Sequence, residues 1–303
     1  MRNFKDALRL LAATPALLFW AGCANLESTQ QPVSLVAVGA RQEAATVPRK
    51  TNAAEATGEV VVAYSPPTRQ LTLREPVFVD FTVRNGLDQP VRLDLGQDRK
   101  ESFRFVVIKP DGARATLPPW RREGVSRIGE LSVAPREEFT ERLLLNEWFD
   151  FPAPGRYEVE VSLATPLRGE GGKALVAPTL GRFVLDIGPR DADELKRVSA
   201  ALLRRVVQAK SYEDAAAAAT DLSHVADPVA VPDLEKTLTS GRMVEPIAIA
   251  GLARVGNEEA ARVLISTLHS PDAEVAQLAR AALAVIEQKS PDAGLKERIR
   301  REL

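Results

Sequence analysis

The spacing of apolar residues changes once along this chain, between Asp186 and Asp191, and the two sides of that change obey different folding rules. Before it, Val77, Val79, Phe81 and Val83 alternate with Phe78, Asp80, Thr82 and Arg84, a period of two that buries one face of a strand. After it, Leu195, Val198, Leu202 and Val206 follow spacings of three and four and form one stripe on a helix. The pattern predicts a multidomain chain, all-β over residues 58–188 and all-α over 192–303.

Within the first part, strands are expected near Val60 to Tyr64, Leu71 to Leu73, Phe103 to Ile108, Phe139 to Leu145, Tyr157 to Leu163 and Phe183 to Ile187. The segment VFVDFTVRNGLDQPVRLDL reads as two antiparallel strands joined by a short loop at Asn85-Gly86. Short strands at regular intervals, with no helical period between them, argue for a β-sandwich over a parallel sheet. Loops fall at Pro118 to Gly129 and at Arg168 to Ala174. In the first of these, LPPWRREG sets Trp120 beside Arg121 and Arg122, a candidate protein-binding anchor. The alternative is that Trp120 folds back onto the edge of the sheets. Trp148 is expected to close the core with Phe149 or Phe151.

The stretches FTVRNGLDQPVRL, FRFVVIKPDG and FPAPGRYEVEVSL resemble the immunoglobulin-like β domains of many bacterial envelope proteins. A bacterial intracellular proteinase-inhibitor domain has a similar run of strands. That likeness implies an alternative in which the sandwich loops inhibit a protease, although no loop motif matches one position by position.

The second part is similar to itself. Leu222, Val225, Asp227 and Ala230 recur thirty residues later as Leu252, Val255, Asn257 and Ala260. With one extra residue near Ser270, Val244, Ala248, Leu252 and Val255 recur as Val275, Ala279, Leu283 and Ile286. A period of about thirty with two helices per unit predicts a short helical solenoid, because one pair cannot bury its apolar face alone. Three pairs are expected, 192–209 with 212–225, 228–240 with 243–255, and 258–269 with 274–287, followed by a charged closing helix. An ordinary helical bundle is the alternative. The stretches PIAIAGLARVG and QLARAALAVIE resemble second helices of HEAT-like repeats, the type shared with phycobilin-lyase proteins. The resemblance implies a protein-binding habit and no reaction. If the second helices line a concave face, Glu245, Arg254, Gln277 and Arg280 are candidate contacts.

The start of the chain carries an address. A basic opening and an apolar run from Leu10 to Gly22 fit a secretory signal of residues 1–22 and fall short of the ~20 apolar residues of a membrane span. Residues 23–57, rich in Ala, Gln, Thr and Pro, read as a flexible tether. Ala21-Gly22-Cys23 resembles the lipobox of bacterial lipoproteins, with Trp20 where that family usually has an aliphatic residue. The resemblance implies lipid attachment at Cys23, a membrane anchor, and a place in the cell envelope. The alternative is a soluble secreted protein cut nearby.

Chemistry is sparsely marked. A net charge of -1 with no basic stretch removes any general electrostatic reason to bind nucleic acid. One Cys permits no internal disulfide, and His224 and His269 are too far apart to read as a zinc pair, so neither a metal nor a cofactor is expected. Both histidines fall near predicted helix C-termini, where a partial positive charge is favoured. RGEGGKA lacks the setting of a phosphate loop and reads as a hairpin tip. The residues therefore point to a non-catalytic envelope protein that binds an unknown envelope protein as scaffold or accessory subunit. An enzyme with a scattered site remains the other possibility.

Overall fold

The computed structural model describes residues 58–95, 102–116, 129–241 and 243–303. Ten strands come first: β1 (Val60–Ser65), β2 (Leu71–Thr72), β3 (Phe78–Asn85), β4 (Val91–Asp94), β5 (Phe103–Ile108), β6 (Arg114–Thr116), β7 (Glu130–Val133), β8 (Glu138–Leu144), β9 (Gly155–Leu163) and β10 (Gly181–Gly188). They form sheets of order β1-β3-β8, β2-β10-β9-β5-β6 and β4-β7. All pairs are antiparallel except β2 with β10.

The period of two explains the layering. Val79, Phe81 and Val83 of β3, Phe103, Phe105 and Val107 of β5, and Tyr157, Val159 and Val161 of β9 are all buried in one hydrophobic cluster. Phe81 meets Phe103 edge to face at 5.0 Å, joining the three-stranded and five-stranded sheets through their apolar faces. Such a pair adds about 0.5–1.5 kcal/mol beyond the area it buries. Trp148 packs against this cluster through Phe105 and Phe103, at 5.1 and 6.3 Å. Phe149 and Phe151 gather on Tyr157 in the same cluster, so Trp148 closes the core together with them, as expected.

A correction concerns the segment around Asn85-Gly86. β3 and β4 do not pair with each other: both edges of β3 are already occupied, by β1 and β8, and β4 pairs with β7. The chain crosses from one sheet to another at this point. Buried Asn85 organises the crossing, its side-chain amide donating to the carbonyls of Gln89, Val133 and Ala134 at 2.9–3.0 Å while its oxygen accepts from the Leu87 N–H. Gly86 follows because its N–H reaches the Glu59 carbonyl, and a Cβ there would lie only 2.4 Å from that oxygen.

Seven helices follow: α1 (Ala192–Gln208), α2 (Tyr212–Ser223), α3 (Val231–Leu238), α4 (Glu245–Val255), α5 (Glu258–Thr267), α6 (Ala273–Lys289) and α7 (Ala293–Glu302). Their starts are written in the sequence. Asp191, Ser211, Asn257, Asp272 and Asp292 each accept a backbone N–H of the following first turn. The helices pack in two rows, α2 on α4 on α6, backed by α1, α3, α5 and α7. Gly251 permits close approach of α4 to α2 and α3, since a Cβ there would meet the Ser223 Cα at 2.9 Å and Leu234 Cδ2 at 2.8 Å.

The two regions are held by polar contacts. Asp227, with no exposed side-chain surface, takes two bonds from Arg190 (2.6 and 2.9 Å) and one from Arg74 (3.1 Å), while its other task is to cap the 3-10 turn 228–230 through the Val229 N–H. Thr72 completes the seam. Its hydroxyl donates to the Pro189 carbonyl at 2.8 Å and accepts from the Asp191 N–H at 2.7 Å.

Candidate binding groove

The rows of helices leave an open groove of about 580 Å³ along the edge built by the α3–α4 and α5–α6 turns. Its floor is apolar, with Leu238 of α3, Val263 of α5, and Val275 and Leu278 of α6. At its lip stand Met243, three-quarters exposed, and Tyr212 at the start of α2, about half exposed.

The lip follows from the α3–α4 turn. Thr239 ends α3, Gly241 takes a left-handed conformation, and Met243 takes one too, at φ 59°. A left-handed residue without glycine's freedom costs of order 1–3 kcal/mol, and such strain clusters where function needs a particular shape. The same turn gives α4 a start without a side-chain cap, since Val244 occupies the capping position and Pro246 the first turn. A large apolar side chain is thereby held in solvent beside an apolar floor.

The walls are acidic. Glu235, Glu245, Asp272 and Glu274 line the groove, and among the described residues no Lys, Arg or His does. Asp272 also caps α6, accepting from Glu274 and Val275 N–H, and Glu235 lies 3.4 Å from Arg262 across an exposed pair. Glu245 and Glu274 sit in the first turns of α4 and α6, where the partial positive charge of each helix start favours a carboxylate.

Of the residues singled out from sequence, Glu245 lines this groove. Arg254 lies at the opposite end of α4, half-buried, where it donates to the Ser223 carbonyl that ends α2. Burial pushes its guanidinium below the ordinary value, and the carboxylates of Asp150 and Glu147 from the β region pull the other way. Arg254 thus works inside the molecule. Gln277 and Arg280 are exposed on α6 outside the groove lining. Cys23, Trp120, Arg121 and Arg122 lie outside the described residues. Met243 and Tyr212 were not anticipated; an apolar Met between Gly241 and Pro246, where a turn is expected to be polar, is the signal that marks the first of them.

The histidines bear on catalysis. His224 Nδ1 lies 2.9 Å from the Thr220 carbonyl, so that nitrogen carries the proton it donates there, and the Ser223 hydroxyl donates to the same carbonyl at 2.8 Å. A protonated Nδ1 cannot accept a proton from Ser223, 3.3 Å away, and the pair does not form a nucleophile with its base. Among the described residues, no three His, Cys, Asp or Glu side chains gather as a metal site, and no helix is long and apolar enough to cross a membrane.

No family model matches the chain, and no curated protein matches it. Among solved structures, it is similar at 14% identity and a TM-score of 0.26 to Spo0M, the sporulation control protein of Bacillus subtilis, over 48% of this chain and 56% of that one. It is similar to the β-glucosidase of Listeria innocua at 16% identity and a TM-score of 0.25, over 44% of this chain and 16% of that one. The alpha-2-macroglobulin of E. coli matches at 13% identity and a TM-score of 0.26, over 79% of this chain and 19% of that one. The chain spans little more than half of the first of these proteins and under a fifth of the other two. Likenesses at this level carry neither a fold nor an activity to this chain.

Proposed function

We propose that this is a non-catalytic lipoprotein of the cell envelope that binds another protein as a scaffold or accessory subunit. Lipid on Cys23 anchors it, residues 23–57 tether it, and an immunoglobulin-like sandwich over 58–188 carries a HEAT-like solenoid over 192–303. The helices support the solenoid reading by falling in three pairs and a closing helix, with the second helices of the pairs in one row and the first helices in the other. The sheets support the sandwich reading by sharing one apolar core.

One observation carries the binding role: a groove with an apolar floor and a strained, exposed Met243 at its lip. Met243 is three-quarters exposed beside the half-buried Leu238 and Val275, apolar surface that a partner's side chains would cover. The seam at Asp227 and Arg254 occupies the other end of α2 and α4, and among the described residues none of the β region lines the groove.

The test is chemical crosslinking in intact cells, comparing the native chain with Met243→Asp. A specific adduct that is lost in the variant supports the reading. An identical set of adducts from both chains contradicts it.

A further inference from the structure

We propose that the occupant of this groove is a cationic amphipathic segment of a partner protein, with apolar side chains on the floor and Lys or Arg against the walls. The proposal rests on the protein-binding reading and adds the chemistry of what is bound. Three properties of the site meet in it.

Half-buried Leu238 and Val275, over the buried Val263 and Leu278, offer apolar surface to a ligand, and the volume, about 580 Å³, admits several side chains. Among the described lining residues the charge has a single sign. Glu235 of α3, Glu245 of α4, and Asp272 and Glu274 at the start of α6 stand on the walls, with no described base among the lining residues. Against these carboxylates a cationic segment is attracted at a distance and held in register on contact, and an anionic one is disfavoured.

Met243 supplies the third property. An unbranched, polarizable side chain adapts its shape to different apolar neighbours, and surfaces that accept amphipathic helices use Met for this reason. Its backbone is held left-handed by the turn that starts at Gly241, which keeps the thioether at the lip. Tyr212, about half exposed and also lining the groove, offers an aromatic ring to a cation. The site therefore reads two properties of its ligand at once, apolar spacing and positive charge.

The experiment uses the full chain and three labelled peptides of about fourteen residues, near the lower limit for an isolated helix. The first carries Leu at helical i, i+3, i+4, i+7 spacing with Lys elsewhere; the second has Glu for each Lys; the third has Ser for each Leu. Binding is followed by fluorescence anisotropy at low and high salt. The Lys and Leu peptide is expected to bind and to weaken as salt rises, and the other two to bind at least about tenfold less well. Glu245→Lys with Glu274→Lys should weaken it by about tenfold or more, and Met243→Ser, which leaves both helix starts intact, by about tenfold.

Equal binding of the Lys and Glu peptides overturns the proposal. So does an unchanged affinity in both variants, or no binding of the first peptide below about 1 mM. Thermal unfolding of each variant at the native temperature confirms that an affinity loss belongs to the groove. These results are separate from the crosslinking above: a Met243-dependent adduct with no cationic preference removes the chemistry and keeps the binding role, whereas loss of both removes the reading itself.

Discussion

Asp227 decides how the two regions are joined. Burial pushes its carboxyl up, but hydrogen bonds from Arg190, the Val229 N–H and Arg74 outweigh that and hold it below the usual carboxylate range. A carboxyl lowered in the folded state binds fewer protons than in the unfolded chain, so its contribution is fully present above about pH 4 and is lost as pH falls through the folded value. Asp191, held low by the Glu194 and Asp193 N–H groups, acts in the same direction. Thermal unfolding as a function of pH should therefore show an acid limb below about pH 4 that is shallower in Asp227→Asn. Asp227→Ala removes a cap and a set of charge-assisted bonds together, and a cost of about 2–4 kcal/mol is expected. The two arginines are partly exposed and regain water when the carboxylate is lost, which keeps the figure from rising further. Equal melting of Asp227→Ala and the native chain would contradict this account of the seam.

Between elements, close approach matters more than propensity. Gly251 in α4 is the test, because Ala is the better helix former by about 1 kcal/mol and yet its Cβ would strike the Ser223 backbone on α2. Gly251→Ala is expected to destabilise by about 1–3 kcal/mol, measured by denaturant unfolding, and a stabilised variant would show that α2 and α4 are less tightly apposed. The helices themselves were legible, since caps such as Asp191, Ser211 and Asn257 and a period of three to four mark each one locally. Most strands were legible for the same reason, as alternation is a local signal. Pairing was not. Asn85-Gly86 looks locally like a hairpin turn, and only the occupation of both β3 edges by β1 and β8, strands distant in sequence, makes it a crossing between sheets. β6 and β7 were not among the expected strands: Arg114-Ala115-Thr116 holds no large apolar residue, and Glu130–Val133 only Leu131 and Val133. The site was legible in part. Glu245 stands out as a polar residue opening a repeat helix, but helical position alone did not say that Arg254, on the same helix, would turn inward to the Ser223 carbonyl. Met243 belongs to a turn whose left-handed backbone no pattern of apolar residues encodes.

At the scale of the whole molecule, the proposed role joins an anchor to a reader: a proposed lipid on Cys23 toward the start of the chain, and the groove in the helices as the proposed binding site. The anchor is tested by Cys23→Ser, which should move the chain from the membrane fraction to the soluble one and lower its mass by the acyl groups; unchanged fractionation and mass would contradict it. The seam at Asp227 matters to the reader as well, because it fixes the C-terminal ends of α2 and α4 to the β region and leaves their N-terminal ends outward. The central claim is that a partner protein lies on that outward edge. A photocrosslinking amino acid placed at 243 in the full chain, in intact cells, tests it most directly against the same group placed at 277 on the exposed flank of α6. A discrete adduct from position 243 and none from 277 is the predicted result, and equal adducts from both positions, or an adduct from 277 alone, would contradict it.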